Sequence, residues 1–87
     1  MAKYLIHANY VGDGVAGLLK DGGTARRTAV EKLGASVGGT VEAFYYAFGD
    51  TDLYIIFDCP DHASMAALSM IVNATGAATC RTTVLLT

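Results

Sequence analysis

Residues 40–58 read TVEAFYYAFGDTDLYIIFD, two apolar and aromatic runs separated by the turn-forming residues Gly49-Asp50-Thr51. Runs of this kind, bounded by turn residues, predict strands over Thr40–Phe48 and Asp52–Asp58. Because only three residues connect them, the two strands are expected to pair as an antiparallel hairpin. The hairpin decides the fold, because a strand and a helix precede it and a helix and a strand follow it.

A strand and a helix precede the hairpin. Residues 3–10 are rich in aromatic and branched side chains and alternate weakly, which predicts a strand. After a short apolar piece that could form one or two helical turns, Thr24 is the predicted N-cap of a helix over Ala25–Val37. Gly34 falls on the inner side of this helix, so we expect a close approach to the sheet there.

A helix and a strand follow the hairpin. Asp61 is the predicted N-cap of a helix over His62–Thr75, and residues 79–86 predict a fourth strand. The order is that of two βαβ halves in tandem, the ferredoxin-like βαββαβ arrangement. Right-handed crossovers place both helices on one face of a four-stranded antiparallel sheet, which predicts a single α+β domain over residues 1–87.

Composition excludes several classes of function. The chain is 53% apolar with a net charge of −2, and its six Lys and Arg form no long run, which argues against nucleic acid as a partner. No apolar stretch approaches the length of about 18 residues that crosses a membrane. His7 and Asn9 interrupt the first apolar run too early for a signal peptide, so a cytoplasmic location is expected.

The sheet face without helices is predicted to be apolar. Strict alternation assigns to this open face Leu5, His7 and Asn9 of the first strand and Glu42, Phe44, Tyr46 and Phe48 of the second, and Arg81 of the fourth strand is expected to share it. An exposed apolar patch of this kind marks an interface, and two sheets packed face to face would bury it. We therefore expect a homodimer or larger homo-oligomer that encloses a cavity between two sheets.

Four polar residues are candidates for a site in that inter-sheet cavity. His7 is the candidate catalytic acid or base, because a half-buried imidazole that titrates near neutrality can move a proton. Arg81 could hold an anionic group, and Asn9 and Tyr46 are the other candidate ligand-binding residues. The alternative for His7 is a hydrogen-bonded core histidine.

A second candidate site lies where the first long helix begins, at Gly22–Arg27. Free amides at a helix N-terminus, together with Arg26 and Arg27, could bind a phosphate or carboxylate. The alternative is a capped helix on whose surface Arg27 pairs with Glu31. Residues 12–17 match G-x-G-x-x-G, but the chain is too short for a dinucleotide-binding sheet, so we interpret them as a turn and expect no cofactor.

Cysteine and histidine are too few for a metal site. His62 lies close to Cys59 and Asp61, but zinc sites repeat paired ligands at fixed spacings, so no metal is predicted. Cys59 is expected near a bend and exposed, Cys80 as a small apolar side chain on a strand, and both as reduced thiols.

Several segments resemble the GYD domain family, a ferredoxin-like group related to dimeric α/β-barrel proteins. The resemblance is carried by Asn9-Tyr10, residues 22–27, Leu33, Gly38-Gly39, residues 42–45, residues 48–52 and residues 81–86. Of the Gly-Tyr-Asp signature, Gly49 and Asp52 match, whereas Thr51 stands in the tyrosine position. The resemblance implies the fold and self-association; the wider group, with cofactor-free oxygenases, isomerases and heme-handling enzymes, offers only analogies for chemistry.

Three hypotheses for function follow. The first is a homo-oligomeric domain that binds a small aromatic or anionic ligand in an apolar cavity with a few polar groups. The second is a cofactor-independent monooxygenase or isomerase that uses His7 as acid or base. The third is a structural or regulatory oligomer without a ligand.

Overall fold

One antiparallel sheet organises the chain. The computed structural model describes residues 2–87 in the order β1 (Ala2–Tyr10), α1 (Asp13–Asp21), α2 (Gly23–Ser36), β2 (Thr40–Tyr46), β3 (Leu53–Cys59), α3 (His62–Ala74) and β4 (Ala78–Leu85). The strand order across the sheet is β2-β3-β1-β4, with every neighbouring pair antiparallel. This topology confirms the predicted α+β, ferredoxin-like fold. The short apolar piece after β1 forms the helix α1.

The core lies between one face of the sheet and the helices α2 and α3. Alternate residues of β1 and β3 are buried on that face, and the buried side chains of α3 pack against them. The buried set is Tyr4, Ile6, Ala8, Phe44, Leu53, Ile55, Phe57, Cys59, Met65 and Leu68. Within residues 2–87, none of the helices is long and apolar enough to cross a bilayer.

Of the two predicted helix N-caps, Asp61 is confirmed and Thr24 is corrected. The carboxylate of Asp61 accepts a hydrogen bond of 2.7 Å from the Ser64 amide at the start of α3, and this bond lowers the pKa of Asp61. The prediction of Thr24 as N-cap of α2 was wrong, because the helix begins at Gly23 and its N-cap is Gly22. Gly22 has φ 85°, and its amide donates to the Leu18 carbonyl at 2.8 Å, so α1 turns directly into α2 at a position that favours glycine.

A β-bulge in β2 changes which aromatic side chains face the helices. Val41 pairs with Phe57 but Ala43 pairs with Ile56, so the register shifts at the intervening Glu42. After an extra residue, every later side chain of the strand points to the face opposite to the one that strict alternation predicts.

The bulge overturns the predicted assignment of Phe44 and Tyr46 to the open face. Phe44 is buried in the core beneath the helices, and Tyr46 also lies on the helix side. Tyr45 takes the place on the open face, where it pairs with Tyr54 of β3. Phe48 was predicted within the strand but lies in the loop after Tyr46, with its side chain fully exposed.

The predicted close approach of α2 to the sheet is confirmed at Gly34. A Cβ atom at this position would lie 2.5 Å from Cε1 of Phe57, whose side chain is fully buried. Only glycine therefore lets α2 contact the sheet at this position. The close packing that results offsets the low helix propensity of glycine.

We expect Gly34→Ala to destabilise the fold by about 1–3 kcal/mol, because the new methyl group overlaps a ring that has no room to move. The matched control is Gly17→Ala in α1, where the methyl group would meet only the far end of the Arg26 side chain. That variant should keep the stability of the parent or gain up to about 1 kcal/mol from helix propensity. Urea unfolding of the three proteins measures the difference, and equal losses in both variants would contradict the packing argument.

Candidate functional site

A cavity of about 220 Å³ lies between the sheet and the two long helices. The walls come from β1 and β3 on one side and from α2 and α3 on the other, and they include Ile6, Ile55, Val30, Leu33, Leu68 and Val72. These side chains are apolar, as in most pockets that bind small molecules. An apolar cavity of about 150 Å³ can hold benzene, so this cavity has room for a molecule slightly larger than benzene.

Polar groups reach the cavity from the ends of β1 and α2. Tyr10 is the last residue of β1, and Arg26 lies in the first turn of α2. Among the side chains that the structure describes, Nε of Arg26 is the one buried nitrogen or oxygen atom without a hydrogen-bond partner. Gly17 of α1 covers the guanidinium group, where a Cβ atom would overlap its Nη2.

Tyr46 lies beside this polar end and is held by the start of α2. Its hydroxyl donates a hydrogen bond of 2.9 Å to the Gly23 carbonyl, and a Cβ atom at Gly23 would come within 2.8 Å of the ring. The glycine therefore makes room for the aromatic ring at the helix N-terminus. The bulge in β2 and the glycine at the start of α2 together place Tyr46 here rather than on the open face.

Burial and the neighbouring Tyr46 raise the pKa of Tyr10 to about 12, although Arg26 acts in the opposite direction. The phenol of Tyr10 is therefore neutral at physiological pH and can donate a hydrogen bond. As a neutral group it leaves the positive charge of Arg26 uncompensated.

Asn9 and Asp52 fix the position of Tyr10. The Asp52 amide donates to the side-chain oxygen of Asn9 at 2.9 Å, and the Tyr10 amide donates to the Asp52 carboxylate at 3.1 Å. These bonds attach the loop of the β2–β3 hairpin to the end of β1. Asn9 was predicted to bind a ligand, but its side-chain oxygen accepts a hydrogen bond that holds the hairpin loop in place.

Of the four residues predicted for an inter-sheet site, His7 and Arg81 lie in adjacent positions on the open face. His7 pairs across the strands with Arg81 on one side and with Tyr54 on the other, and its ring lies edge-on to Tyr54 with centroids 5.2 Å apart. Asn9 follows two residues later in β1. Tyr46 was expected beside them but lies on the opposite side of the sheet, because of the bulge.

The two arginines at the start of α2 point to different surroundings. Arg26 lines the cavity, whereas Arg27 is exposed and pairs with Glu31 one turn later, with Nε 3.7 Å from Oε1. The pairing of Arg27 and Glu31 is the alternative that the sequence offered for this segment. Of the two arginines, Arg26 alone therefore lines the cavity.

A second polar contact lies on the far side of α3, outside this cavity. Tyr4 is almost fully buried, and its hydroxyl lies 2.6 Å from Nδ1 of His62 at the start of α3. Burial raises the pKa of Tyr4. Among residues 2–87, no three side chains of His, Cys, Asp or Glu converge as metal ligands would.

The two cysteines differ in their surroundings. Cys59 was predicted to be exposed, but it is fully buried because it is the last residue of β3 and faces the core. Burial raises the pKa of its thiol, so it is held as an unreactive thiol. Cys80 is half-buried on β4, with Sγ 3.3 Å from the Ser69 hydroxyl oxygen.

The apolar cavity is the feature that the sequence interpretation missed, although the pattern was present. Arg26, Val30 and Leu33 recur at helical spacing, which places the arginine on the same face of α2 as its apolar residues. Ile6, Ala8 and Tyr10 alternate along β1 in the same way. The depth of the cavity depends on the distance between the helices, which no local pattern encodes.

We expect Tyr10→Phe to weaken the loss of stability at alkaline pH. The raised pKa means that the unfolded chain releases the phenolic proton near pH 10 while the folded chain keeps it to about pH 12, so stability falls across this interval. The variant lacks this proton and should show a shallower fall in the free energy of unfolding. Tyr45→Phe, at a side chain that is 67% exposed, is the control for loss of a phenolic hydroxyl group. A slope in Tyr10→Phe as steep as in the parent protein would contradict the burial of Tyr10.

Comparison with known proteins gives one result. No curated protein and no solved structure matches the chain. The family model described as GYD domain matches residues 4–87, nearly the whole chain, and confirms the resemblance in the sequence. This chain therefore belongs to the GYD domain family.

Proposed function

We propose that this chain is a binding domain that holds a small, largely apolar molecule between the sheet and the helices α2 and α3. The proposal rests on the cavity of about 220 Å³, which has apolar walls and polar groups at one end. Few precisely placed polar groups in an apolar enclosure are the usual composition of a small-molecule site. The cavity lies within one chain, whereas the sequence hypothesis placed it between two sheets.

The hypothesis of acid–base catalysis by His7 stays a prediction. His7 lies on the open face, with the sheet between its imidazole and the cavity. A site built on His7 would need a second layer over the open face to exclude water from it. The cavity itself therefore favours binding over a reaction at His7.

We expect Val72→Phe to weaken binding, because the larger ring would occupy part of the cavity from α3. The neutral aromatic probes indole and 1-naphthol, titrated by NMR, should shift the amide resonances of cavity residues in the parent protein. Affinity should fall at least about tenfold in the variant. Ile71→Phe is the matched control, because Ile71 is the preceding residue of the same helix, partly exposed and outside the cavity walls.

Two results would contradict the proposal. One is the absence of probe-dependent shifts at the cavity residues of the folded parent protein. The other is equal affinity in the parent and in Val72→Phe, with unfolding curves showing that the variant is folded. Equal affinity in Ile71→Phe and the parent supports it.

We also propose that the open face mediates self-association. This face includes Tyr54, which is 37% exposed in a central strand, and the half-buried Leu5 and Ile56 beside it. At one end of the face, Nζ of Lys3 lies 2.8 Å from the Glu42 carboxylate and 3.0 Å from the Asp58 carboxylate. Pairing of these charges reduces the repulsion that a second copy would meet there, which supports a face-to-face dimer.

We expect Tyr54→Glu to shift a dimer toward the monomer, because it places a charge within the proposed interface. Met70→Glu adds the same charge at a side chain that is 71% exposed on α3 and should leave the assembly intact. Sedimentation equilibrium at micromolar concentration measures both. A monomeric parent protein would overturn self-association, and equal dissociation by both variants would show that another surface mediates it.

A further inference from the structure

We propose that the cavity takes a small monocarboxylate, with the carboxylate on the guanidinium group of Arg26 and the apolar body between the sheet and the helices. The inference rests on the proposed function and adds the chemical class of the ligand. Three observations carry it: the buried unpaired nitrogen of Arg26, the glycine against which its guanidinium group packs, and the charge and size of the cavity.

The first observation is the missing partner of Arg26. A cation that is taken out of water is costly unless an anion or hydrogen-bond acceptor compensates it. Lys3 and Arg27 have carboxylate partners, but Nε of Arg26 is buried and has no acceptor among the described side chains. An anion in the cavity would supply the missing acceptor.

The second observation concerns the edge of the guanidinium that carries Nε and Nη2. These two nitrogens present parallel N–H groups, which is the geometry that binds a carboxylate through both oxygens. A side chain at Gly17 would overlap Nη2. Glycine in α1 therefore lets the guanidinium group pack against this helix, and the contact fixes the position of the group beside the cavity.

The third observation limits the charge and size of the ligand. Arg26 is the only cationic side chain among the described residues that line the cavity, and Asp52 lies close enough to Tyr10 to raise its pKa. One positive charge with a carboxylate nearby suits a monoanion better than a phosphate dianion. A volume of about 220 Å³, against about 150 Å³ for a cavity that holds benzene, suits one ring or a fused pair.

The experiment compares three probes that share one ring system and differ in charge. Isothermal titration calorimetry measures 1-naphthoate, neutral 1-naphthalenemethanol and dianionic 1-naphthyl phosphate against the full chain. We expect naphthoate to bind the parent protein at least about tenfold more tightly than the alcohol, and more tightly than the phosphate. Arg26→Gln should remove the preference for the acid and keep the affinity for the alcohol.

Two further variants separate the role of Arg26 from net charge and from folding. Arg27→Gln removes the same charge one residue away, on the exposed side of α2, and should keep the preference for the acid. Gly17→Ala should displace the guanidinium and weaken naphthoate at least about threefold, while the thermal midpoint stays equal or rises. A loss of binding without a loss of stability is not expected from a merely structural change.

The outcomes distinguish this inference from the proposed function. Equal affinity for the acid and the alcohol, tighter binding of the phosphate, or equal effects of Arg26→Gln and Arg27→Gln would overturn the monocarboxylate while the binding function stands. Absence of binding by all three probes to the parent protein would overturn both. Acid preference that depends on Arg26 and not on Arg27 supports the proposal.

Discussion

The contact between α2 and Phe57 constrains the rest of the structure. Phe57 is fully buried in β3, and a side chain at either Gly34 or Gly39 would overlap its ring. The end of α2 is thereby held against the sheet, and the turns that precede Gly34 form one wall of the cavity. The contact with Phe57 therefore packs the end of α2 closely against the sheet, while space stays open beside the preceding turns of the helix.

The extra residue in β2 separates the two surfaces that we propose to be functional. Glu42, where the register shifts, bonds to Lys3 on the open face, while Phe44 and Tyr46 turn toward the helices. Without the shift, Tyr46 would lose its contact with Gly23 beside the cavity, and Phe44 and Tyr46 would replace Tyr45 on the open face. A bulge re-aims several side chains through a single position, which simple substitution in a regular strand does not achieve.

Much of the fold could be predicted from the sequence because it depends on local rules. The hairpin, the order of elements, the Asp61 cap and the close approach at Gly34 follow from spacing, turn residues and the size of side chains. The bulge depends on pairing with β3, and the burial of Cys59 depends on the elements that cover the end of its strand.

The candidate site was less accessible to sequence analysis, again for a physical reason. The sequence identified Arg26 as an anion-binding candidate but grouped it with Arg27, since neighbours in sequence look alike until the helix face is known. It placed Tyr46 with His7 because strict alternation leaves no room for an extra residue. Tyr10 gains its importance from groups that are distant in sequence, namely Arg26 and Tyr46.

The alternation of β1 has a thermodynamic consequence. Ile6, Ala8 and Tyr10 line the cavity, while His7 and Asn9 belong to the opposite face of the same strand. A ligand that displaces β1 would move both surfaces, so occupancy of the cavity and association of copies would share one free energy of coupling. By reciprocity, the factor by which ligand changes the dimer affinity equals the factor by which dimerisation changes the ligand affinity.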